Sequence, residues 1–329
     1  MGGAQVASVS DATAGYWNPA GLVEVKDHPV LSLMHAEYFA GIGKYDYASL
    51  AMPIGDPSLA TKALGITLMR FAVDDIPNTL YLVEPDGTIN YNNIRTFSSA
   101  DYAFLLSYGQ VIYGDDEQTF SFGTNAKLIH RNVGTFAKAW GIGADLSLQY
   151  HSSRVNFGIV ARDITTTFNA WQFSFTDKEK EILYLTNNKI PVRSTELTAP
   201  RLILGGAYSQ PLTDELKLMA EINLDLTFDG KRNVLISAQP MSIDPRMGLE
   251  LGYKETLYGR LGVYNFQQGL KDGDLTNLKK VWIYQPSLGV GFKVKNVDID
   301  YAFTNLANQS NPLYTHIFSM KLNLIRSEK

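Results

Sequence analysis

From residue 30 onward, apolar and polar side chains alternate along most of the chain. In 214–228 the even positions are apolar from Leu216 to Phe228. The odd positions between them are mostly polar and include Lys217 and Asp225. Successive side chains of a β-strand point to opposite faces. The alternation therefore predicts a strand with one apolar face and one polar face.

Fourteen strands are predicted in this way, and several exceed the about five to six residues of typical globular strands. A long strand with a continuous apolar face needs either a second sheet or an apolar medium against that face. The predicted strands are 30–39, 45–54, 62–73, 99–112, 117–131, 138–150, 153–164, 201–210, 214–228, 245–255, 257–267, 283–294, 296–305 and 314–326.

The connections between the predicted strands alternate between short and long. Those after even-numbered strands have few residues, whereas those after odd-numbered strands include 74–98 and 165–200. Transmembrane barrels have an even number of strands, with tight periplasmic turns and longer extracellular loops. The fold class predicted is all-β: a closed antiparallel 14-stranded transmembrane β-barrel with an N-terminal plug, located in a bacterial outer membrane.

A large soluble β-sandwich is the alternative, because it also alternates apolar with polar residues. A sandwich gives no reason for long loops to follow every second strand, and its long strands would leave edges to protect. In a bilayer, closure is required because unpaired backbone groups cannot reach water. We therefore prefer the barrel, with its termini on the side of the short turns.

Residues 1–29 do not alternate and are rich in Gly, Ala and Ser. Small residues let backbones approach closely, and an Asn-Pro pair turns the chain. A fourteen-stranded barrel is wider than the eight-stranded barrels that side chains fill. We therefore predict that 1–29 form a plug in the lumen and that 30–329 form the barrel, as a single domain overall.

Composition narrows the possible partners. The chain has no cysteine and a net charge of -4 with dispersed signs, so a nucleic-acid partner is not expected. No long apolar run predicts a transmembrane helix. The sequence numbered here begins without a recognisable export signal, and we expect that such a signal has been removed.

The sequence contains no recognisable reaction centre, so we expect no enzyme activity, cofactor or metal. The five histidines are scattered without the spacing of metal ligands. Asp272-Gly273-Asp274 lacks the spacing of a calcium loop. Lumen-facing charges are expected to hydrate the interior or bind the plug, and lumen-facing glycines to make room for its backbone. Those glycines are Gly141, Gly143, Gly289 and Gly291, and the charges are Asp145, Arg162, Glu221, Asp225, Arg260, Asp298 and Asp300.

The longest predicted loop, 165–200, carries an aromatic patch followed by a charged stretch and a short amphipathic helix. Long loops in compact folds are usually functional or disordered, and exposed aromatic residues often mark binding surfaces. The patch could equally fold over the mouth and seal it. The candidate residues for binding a partner or ligand are Trp171, Phe173, Phe175, Ile182, Leu183 and Tyr184.

The first residues resemble a known family. Gly2-Gly3-Ala4, then 10–14, then Trp17-Asn18-Pro19-Ala20-Gly21-Leu22 are similar to the N-terminal hatch of FadL-like outer-membrane barrels. The Trp-Asn-Pro-Ala-Gly form and the short chain most resemble the PorV/PorQ family of Bacteroidota. The residues of the hatch motif are Gly15, Trp17, Asn18, Pro19, Ala20, Gly21 and Leu22.

The resemblance implies a noncatalytic role. For a PorV-like protein it implies a part in the type IX secretion system, binding the translocon or the C-terminal signal domains of secreted cargo through extracellular loops. For a FadL-type protein it implies a channel for uptake of hydrophobic small molecules, with a lipid or detergent as a possible ligand. A structural subunit of an outer-membrane complex is a third possibility. Membrane lipid is a partner in all three cases.

Overall fold

The computed structural model describes residues 1–55, 61–84, 86–115, 117–270, 279–304 and 314–325. Its strands form one antiparallel sheet. They are β1 Val30–Tyr38, β2 Gly43–Ile54, β3 Lys62–Asn78, β4 Arg95–Gly114, β5 Gln118–Val133, β6 Ala137–Ser152, β7 Val155–Arg162, β8 Thr167–Phe173, β9 Ser194–Thr198, β10 Arg201–Pro211, β11 Leu216–Thr227, β12 Ile236–Ser237, β13 Ser242–Tyr253, β14 Leu257–Leu270, β15 Lys280–Val294, β16 Val297–Thr304 and β17 Thr315–Asn323.

Fourteen of these strands close into a barrel. The first strand, β1, pairs with both β2 and the last strand, β17, so the ring has no edge at its seam. The ring comprises β1–β7, β10, β11 and β13–β17. This confirms the predicted fold class, and all fourteen predicted strands are present with shifted ends. The other three strands, β8, β9 and β12, extend the wall beyond the ring strands and were missed because they lie inside predicted loops.

The two faces of the wall have opposite chemistry. On the outer face, large apolar side chains are exposed, for example Ile66, Leu106 and Ile142. On the lumen face, small and polar side chains are buried, for example Ser107 and Asn125. Burial inside water-soluble proteins follows the opposite rule. The arrangement fits a wall whose apolar side contacts hydrocarbon and whose polar side surrounds packed chain.

An aromatic row crosses the outer face near the extracellular end. The ring of His130 lies 4.2 Å from that of Trp140 and 6.3 Å from that of Tyr102, each on a neighbouring strand. Register aligns the three, because Tyr102 pairs with His130 and His130 with Trp140. Amphipathic aromatic rings prefer the headgroup level of a membrane. This row therefore marks the outer boundary of the hydrocarbon-facing band.

The helices are short. In the plug, α1 spans Ala14–Trp17 and is followed by a 3₁₀ helix, Pro19–Glu24; a further 3₁₀ turn spans Tyr91–Asn93. The extracellular helix α2, Asp177–Leu185, begins at a capping box in which Thr176 and Glu179 satisfy each other's backbone amides. It confirms the short helix predicted in 165–200. No helix in the described ranges is long and apolar enough to cross a membrane.

Replacing Leu106 with arginine tests which medium covers the outer face. Leu106 is 57% exposed on β4, and a charge there should destabilise a membrane barrel by about 2–4 kcal/mol. The free energy of unfolding in lipid vesicles, measured by urea titration, should fall accordingly. Leu185→Arg is the control, because Leu185 is 71% exposed on an extracellular helix and should tolerate the charge. Equal stability of the two variants would contradict a hydrocarbon-facing wall.

Candidate functional site

Residues 1–29 lie against the inner wall and are largely buried. Ala4, Ala7, Ala14, Ala20 and Leu22 have no exposed surface. Part of the plug's apolar surface packs with small wall residues, in a cluster that joins Val9 and Leu22 to Ala51 and Ala63. A segment without bulky side chains can pass this close to a wall because backbone can approach backbone.

Asn18 holds the hatch motif together. Its side-chain amide donates hydrogen bonds to the carbonyl oxygens of Val6 at 2.8 Å and Leu148 at 3.2 Å. Its side-chain oxygen accepts from the backbone N–H of Ala20 at 3.1 Å, which caps the 3₁₀ helix that Pro19 begins. Asn18 therefore ties two parts of the plug to the wall.

Gly15 and Gly21 are required by close approach rather than by backbone angles. A Cβ on Gly21 would lie 2.4 Å from the carbonyl oxygen of Val9, within the plug itself. A Cβ on Gly15 would lie 2.9 Å from the Oγ1 atom of Thr67 on β3. Trp17 packs against the plug cluster, with its ring 4.9 Å from that of Tyr16. The motif residues thus lie within one packed turn.

Wall glycines make room for the plug, although not the ones that the sequence predicted. A Cβ on Gly123 would lie 2.1 Å from the Ala20 nitrogen, and one on Gly158 2.2 Å from the Val6 oxygen. One on Gly262 would lie 2.1 Å from the Gly2 nitrogen. The prediction for Gly141, Gly143, Gly289 and Gly291 was wrong: each of these faces residues of neighbouring wall strands. Alternation places a glycine on the lumen face but does not reveal the path of the plug.

Polar wall side chains bind the plug's backbone, in addition to the hydrogen bonds that its own short turns make. The buried Gln149 donates to the carbonyl oxygens of Ala7 at 2.9 Å and Val9 at 3.0 Å. Glu221 accepts from the Ala7 N–H at 2.8 Å, and Arg162 donates to the Tyr16 carbonyl oxygen at 2.6 Å. Further wall partners of the plug backbone are Ser121, Asn125, Ser147 and Ser287. Buried backbone groups need such partners, which explains the polar lumen.

One ion-paired lysine joins the plug to the far side of the wall. The Nζ atom of Lys321 lies 3.3 Å from Asp11 of the plug and 2.7 Å from Asp298 of β16. Burial alone would raise the pKa of Asp11, but the Lys321 charge and hydrogen bonds from Thr13 outweigh it, so this pKa is below its usual value. Asp11 therefore remains ionised at neutral pH and keeps this contact.

Four of the other predicted lumen charges, Asp145, Asp225, Arg260 and Asp300, form ion pairs with wall residues rather than with the plug. Arg260 bridges Glu250 and Asp300, and Arg201 lies 2.9 Å from Asp225. In a third group, Lys127 joins Asp145 to Asp163 at the end of β7. Among the described residues, no group of three or more His, Asp or Glu side chains could hold a metal ion.

Two polar cavities lie on opposite sides of the plug. The lower cavity, about 290 Å³, opens between the plug and β13–β17 near the short turns, and its lining includes Asp11, Arg260 and Lys321. The upper cavity, about 420 Å³, lies at the extracellular end beside Asp163 and Arg201. Each is lined by charged groups that already have partners, so neither is an apolar binding pocket.

Across the extracellular mouth from the upper cavity, the wall carries a group of aromatic residues. Its residues face the lumen, because they occupy the same alternate positions as buried Ser32, Ser49 and Thr67. The ring of Tyr38 lies 6.2 Å from that of Tyr45 and 6.4 Å from that of Phe71. We call this side the aromatic vestibule: Met34, Tyr38, Tyr45, Met69, Phe71, Tyr264 and Ile317.

The aromatic vestibule lies directly above the plug. Phe71 follows Thr67 along β3 toward the extracellular side, and Thr67 contacts Gly15 of α1. A molecule entering from outside would therefore meet aromatic rings first and the plug second. The sequence analysis missed this group, because its members come from different strands.

The six predicted loop residues do not form one patch. Trp171 and Phe173 lie on β8 with their rings 6.3 Å apart, and Trp171 donates to Glu196 at 2.9 Å. Phe175 stacks on Phe136 of the neighbouring turn at 5.9 Å. On α2, Ile182 and Leu183 are partly buried, whereas Tyr184 is 76% exposed.

The loop that follows β3 contacts α2. The hydroxyl of Tyr81 donates to Glu179 at 3.3 Å, and the Nζ atom of Lys178 lies 5.3 Å from the Tyr81 ring. This contact joins the 79–94 region to the longest loop. The two extracellular loops are thus in contact on this side of the mouth.

A larger side chain at Gly123 should loosen the plug. Gly123→Val places atoms where the Ala20 backbone lies, so either the plug or the wall must move. We expect a higher and noisier ion conductance in planar bilayers. Gly259→Val is the matched control, because a Cβ at Gly259 has no atom within 4 Å. Conductance unchanged in both variants would show that residues 1–29 are not the barrier to ions.

No family model matches the chain, and no curated protein matches it in sequence. Among solved structures it is similar to the CymD monoaromatic hydrocarbon channel, with 14% identity, a TM-score of 0.55 and coverage of 98% of this chain and 95% of the other. It is also similar to the toluene transporters TodX of Pseudomonas putida and TbuX of Ralstonia pickettii. The identities are 14% and 12% and the TM-scores 0.55 and 0.54, with 98% of each chain covered. The chain thus has the β-barrel fold of these hydrocarbon channels, which confirms the resemblance to FadL-like outer-membrane barrels at the level of the fold.

Proposed function

We propose that this barrel is an outer-membrane channel through which hydrophobic small molecules enter the cell, with residues 1–29 as its gate. The observation that carries the proposal is the aromatic vestibule directly above the plug. Partly exposed rings such as Tyr45 and Phe71 offer an apolar surface inside an otherwise polar lumen. An apolar molecule leaves water favourably at such a surface, by about 25 cal/mol per Å² buried.

The plug has the properties of a movable barrier. Most of its hydrogen bonds with the wall involve backbone groups of the plug, and among the described residues only Lys321 of the wall forms an ion pair with it. Water could replace these partners one at a time. Below the plug, the lower cavity opens beside Lys321 and offers a route toward the periplasm. The hydrocarbon channels with the same fold support this proposal without fixing the substrate.

Charge in the aromatic vestibule should block uptake. Phe71→Asp replaces an apolar ring with a carboxylate, and the lost burial of about 1.5–3 kcal/mol corresponds to a tenfold or greater fall in affinity. Uptake of labelled toluene and of a labelled fatty acid into cells should fall by about tenfold. Phe71→Leu keeps an apolar surface and should retain most uptake. If neither compound is taken up faster with the wild-type protein than without it, the channel proposal fails.

A second candidate function is a noncatalytic component of type IX secretion, as the PorV/PorQ resemblance suggests. The observation that favours it is the segment 184–200, in which every residue is exposed. Five of them are large and apolar, including Leu185 and Val192, both more than 70% exposed. Exposed apolar surface of this kind is typical of a surface that binds another protein. The partners would be the translocon or the C-terminal signal domains of secreted cargo.

Shortening the longest loop separates the two functions. Replacing 176–190 with a Gly-Ser linker removes α2 and leaves β8 and β9 in place. If the loop binds secretion partners, their co-purification with the barrel should be lost while toluene uptake persists. A linker variant that still retains its partners would exclude 176–190 as the binding surface. Heat-modifiable migration on gels serves as the control for an intact barrel.

A further inference from the structure

The strand β9 has one free edge. It pairs with β8, from Trp171 opposite Ser194 to Thr167 opposite Thr198, and with no other described strand. All five of its residues are exposed. The ring strand β11 ends at Thr227, so nothing continues the sheet beside β9. Free strand edges are templates for pairing with another chain, and proteins usually cover or charge them.

The backbone groups at this edge can be assigned from the hydrogen-bond pattern. The N–H of Ser174, next to β8, donates to the Phe136 carbonyl, so even-numbered residues of β8 face β6. Alternation then directs the odd-numbered residues of β8 toward β9, including Asn169, the register partner of Glu196. The backbone groups of Thr195 and Leu197 therefore point away from β8. They have no hydrogen-bond partner in the described part of the chain.

The space beside the edge is open. The upper cavity of about 420 Å³ is bounded on one side by Leu197 and Thr198 and on the other by Thr227 and Arg232. It lies where a further strand would continue the wall upward. An extended segment can therefore approach from the extracellular surface.

The charged residues beside β9 indicate which side chains an added segment would carry. Lys189 and Arg193 precede β9, are exposed, and form no ion pair within the described residues. The acidic residue of β9, Glu196, is already bound by Arg131 at 2.8 Å and by the Trp171 indole at 2.9 Å. These two cations beside the edge thus have no acidic partner in the described structure, and they attract acidic side chains and repel basic ones.

We propose that the free edge of β9 receives an extended, acidic segment of another envelope protein as an added β-strand. Main-chain hydrogen bonds from Thr195 and Leu197 would provide affinity, and the charges of Lys189 and Arg193 would select the partner. This inference rests on the second candidate function and specifies how the partner binds. It assigns recognition to backbone groups rather than to the aromatic residues of the loop.

The test uses the full chain in lipid nanodiscs and a defined probe. The probe is a fluorescent peptide of about nine residues in which valine or threonine alternates with glutamate, a pattern suited to one strand. A matched peptide carries lysine in place of glutamate. Fluorescence anisotropy should show the acidic peptide binding at least about tenfold more tightly than the basic one. Charge reversal in the double variant Lys189→Glu, Arg193→Glu should abolish that preference.

Proline at the edge isolates the backbone contribution. Thr195→Pro and Leu197→Pro each remove an N–H that β8 does not use, so the strand itself should persist. Each should weaken binding of the acidic peptide by about tenfold, whereas Thr195→Val should leave it unchanged. Hydrogen exchange of the Thr195 and Leu197 amides should slow when the peptide is bound.

Several outcomes would overturn the proposal. These are equal binding by the proline variants and the wild type, no preference for the acidic peptide, or no binding at about 1 mM. Self-association of the barrel that Thr195→Pro abolishes would also overturn it, because the occupant would then be a second copy. If secretion partners still co-purify with Thr195→Pro, the edge assignment fails while the second candidate function stands.

Discussion

Backbone hydrogen bonding in a medium without water is the constraint on which this architecture depends. Every peptide group of a strand inside hydrocarbon must be paired by a neighbouring strand, because an unpaired group there costs several kcal/mol. The pairing of β1 with β17 meets this requirement by removing the seam. Closure in turn creates a lumen too wide for side chains alone to fill.

The same requirement continues into the plug. Residues 1–29 contain only short helical turns, so the N–H and C=O groups outside those turns need partners on the wall. Gln149, Glu221 and Arg162 supply such partners directly to the plug backbone. Polar residues are therefore buried on the inside while apolar residues are exposed on the outside. This distribution is the reverse of that in a water-soluble protein, because the outer face contacts hydrocarbon and the inner face contacts the plug.

The two candidate functions would use different sides of the extracellular mouth. The aromatic vestibule occupies the side of the mouth formed by β1–β3, β14 and β17, whereas the charged upper cavity and the free edge of β9 lie on the side of β7–β11. Small-molecule entry and protein docking would therefore use different parts of one extracellular surface. The two functions are compatible in a single barrel, since neither needs the residues of the other.

The sequence by itself determined the fourteen strands of the ring, the alternation of short and long connections and the unusual character of 1–29. The alternation of side chains and the lengths of loops are local properties of the chain, so they can be read from the order of the residues. The short helix in 165–200 was also predictable from its charged and apolar residues. The hatch motif further indicated a FadL-like barrel, which the fold agrees with.

Only the tertiary structure decided which residues meet across the lumen. Gly123 and Gly141 look alike in sequence, yet only Gly123 contacts the plug, because the path of the plug depends on all fourteen strands at once. Likewise, Phe71 and Tyr38 become neighbours only through the register of β1–β3. The free edge of β9 could not be seen in the sequence, since an edge is defined by the absence of a neighbour in space.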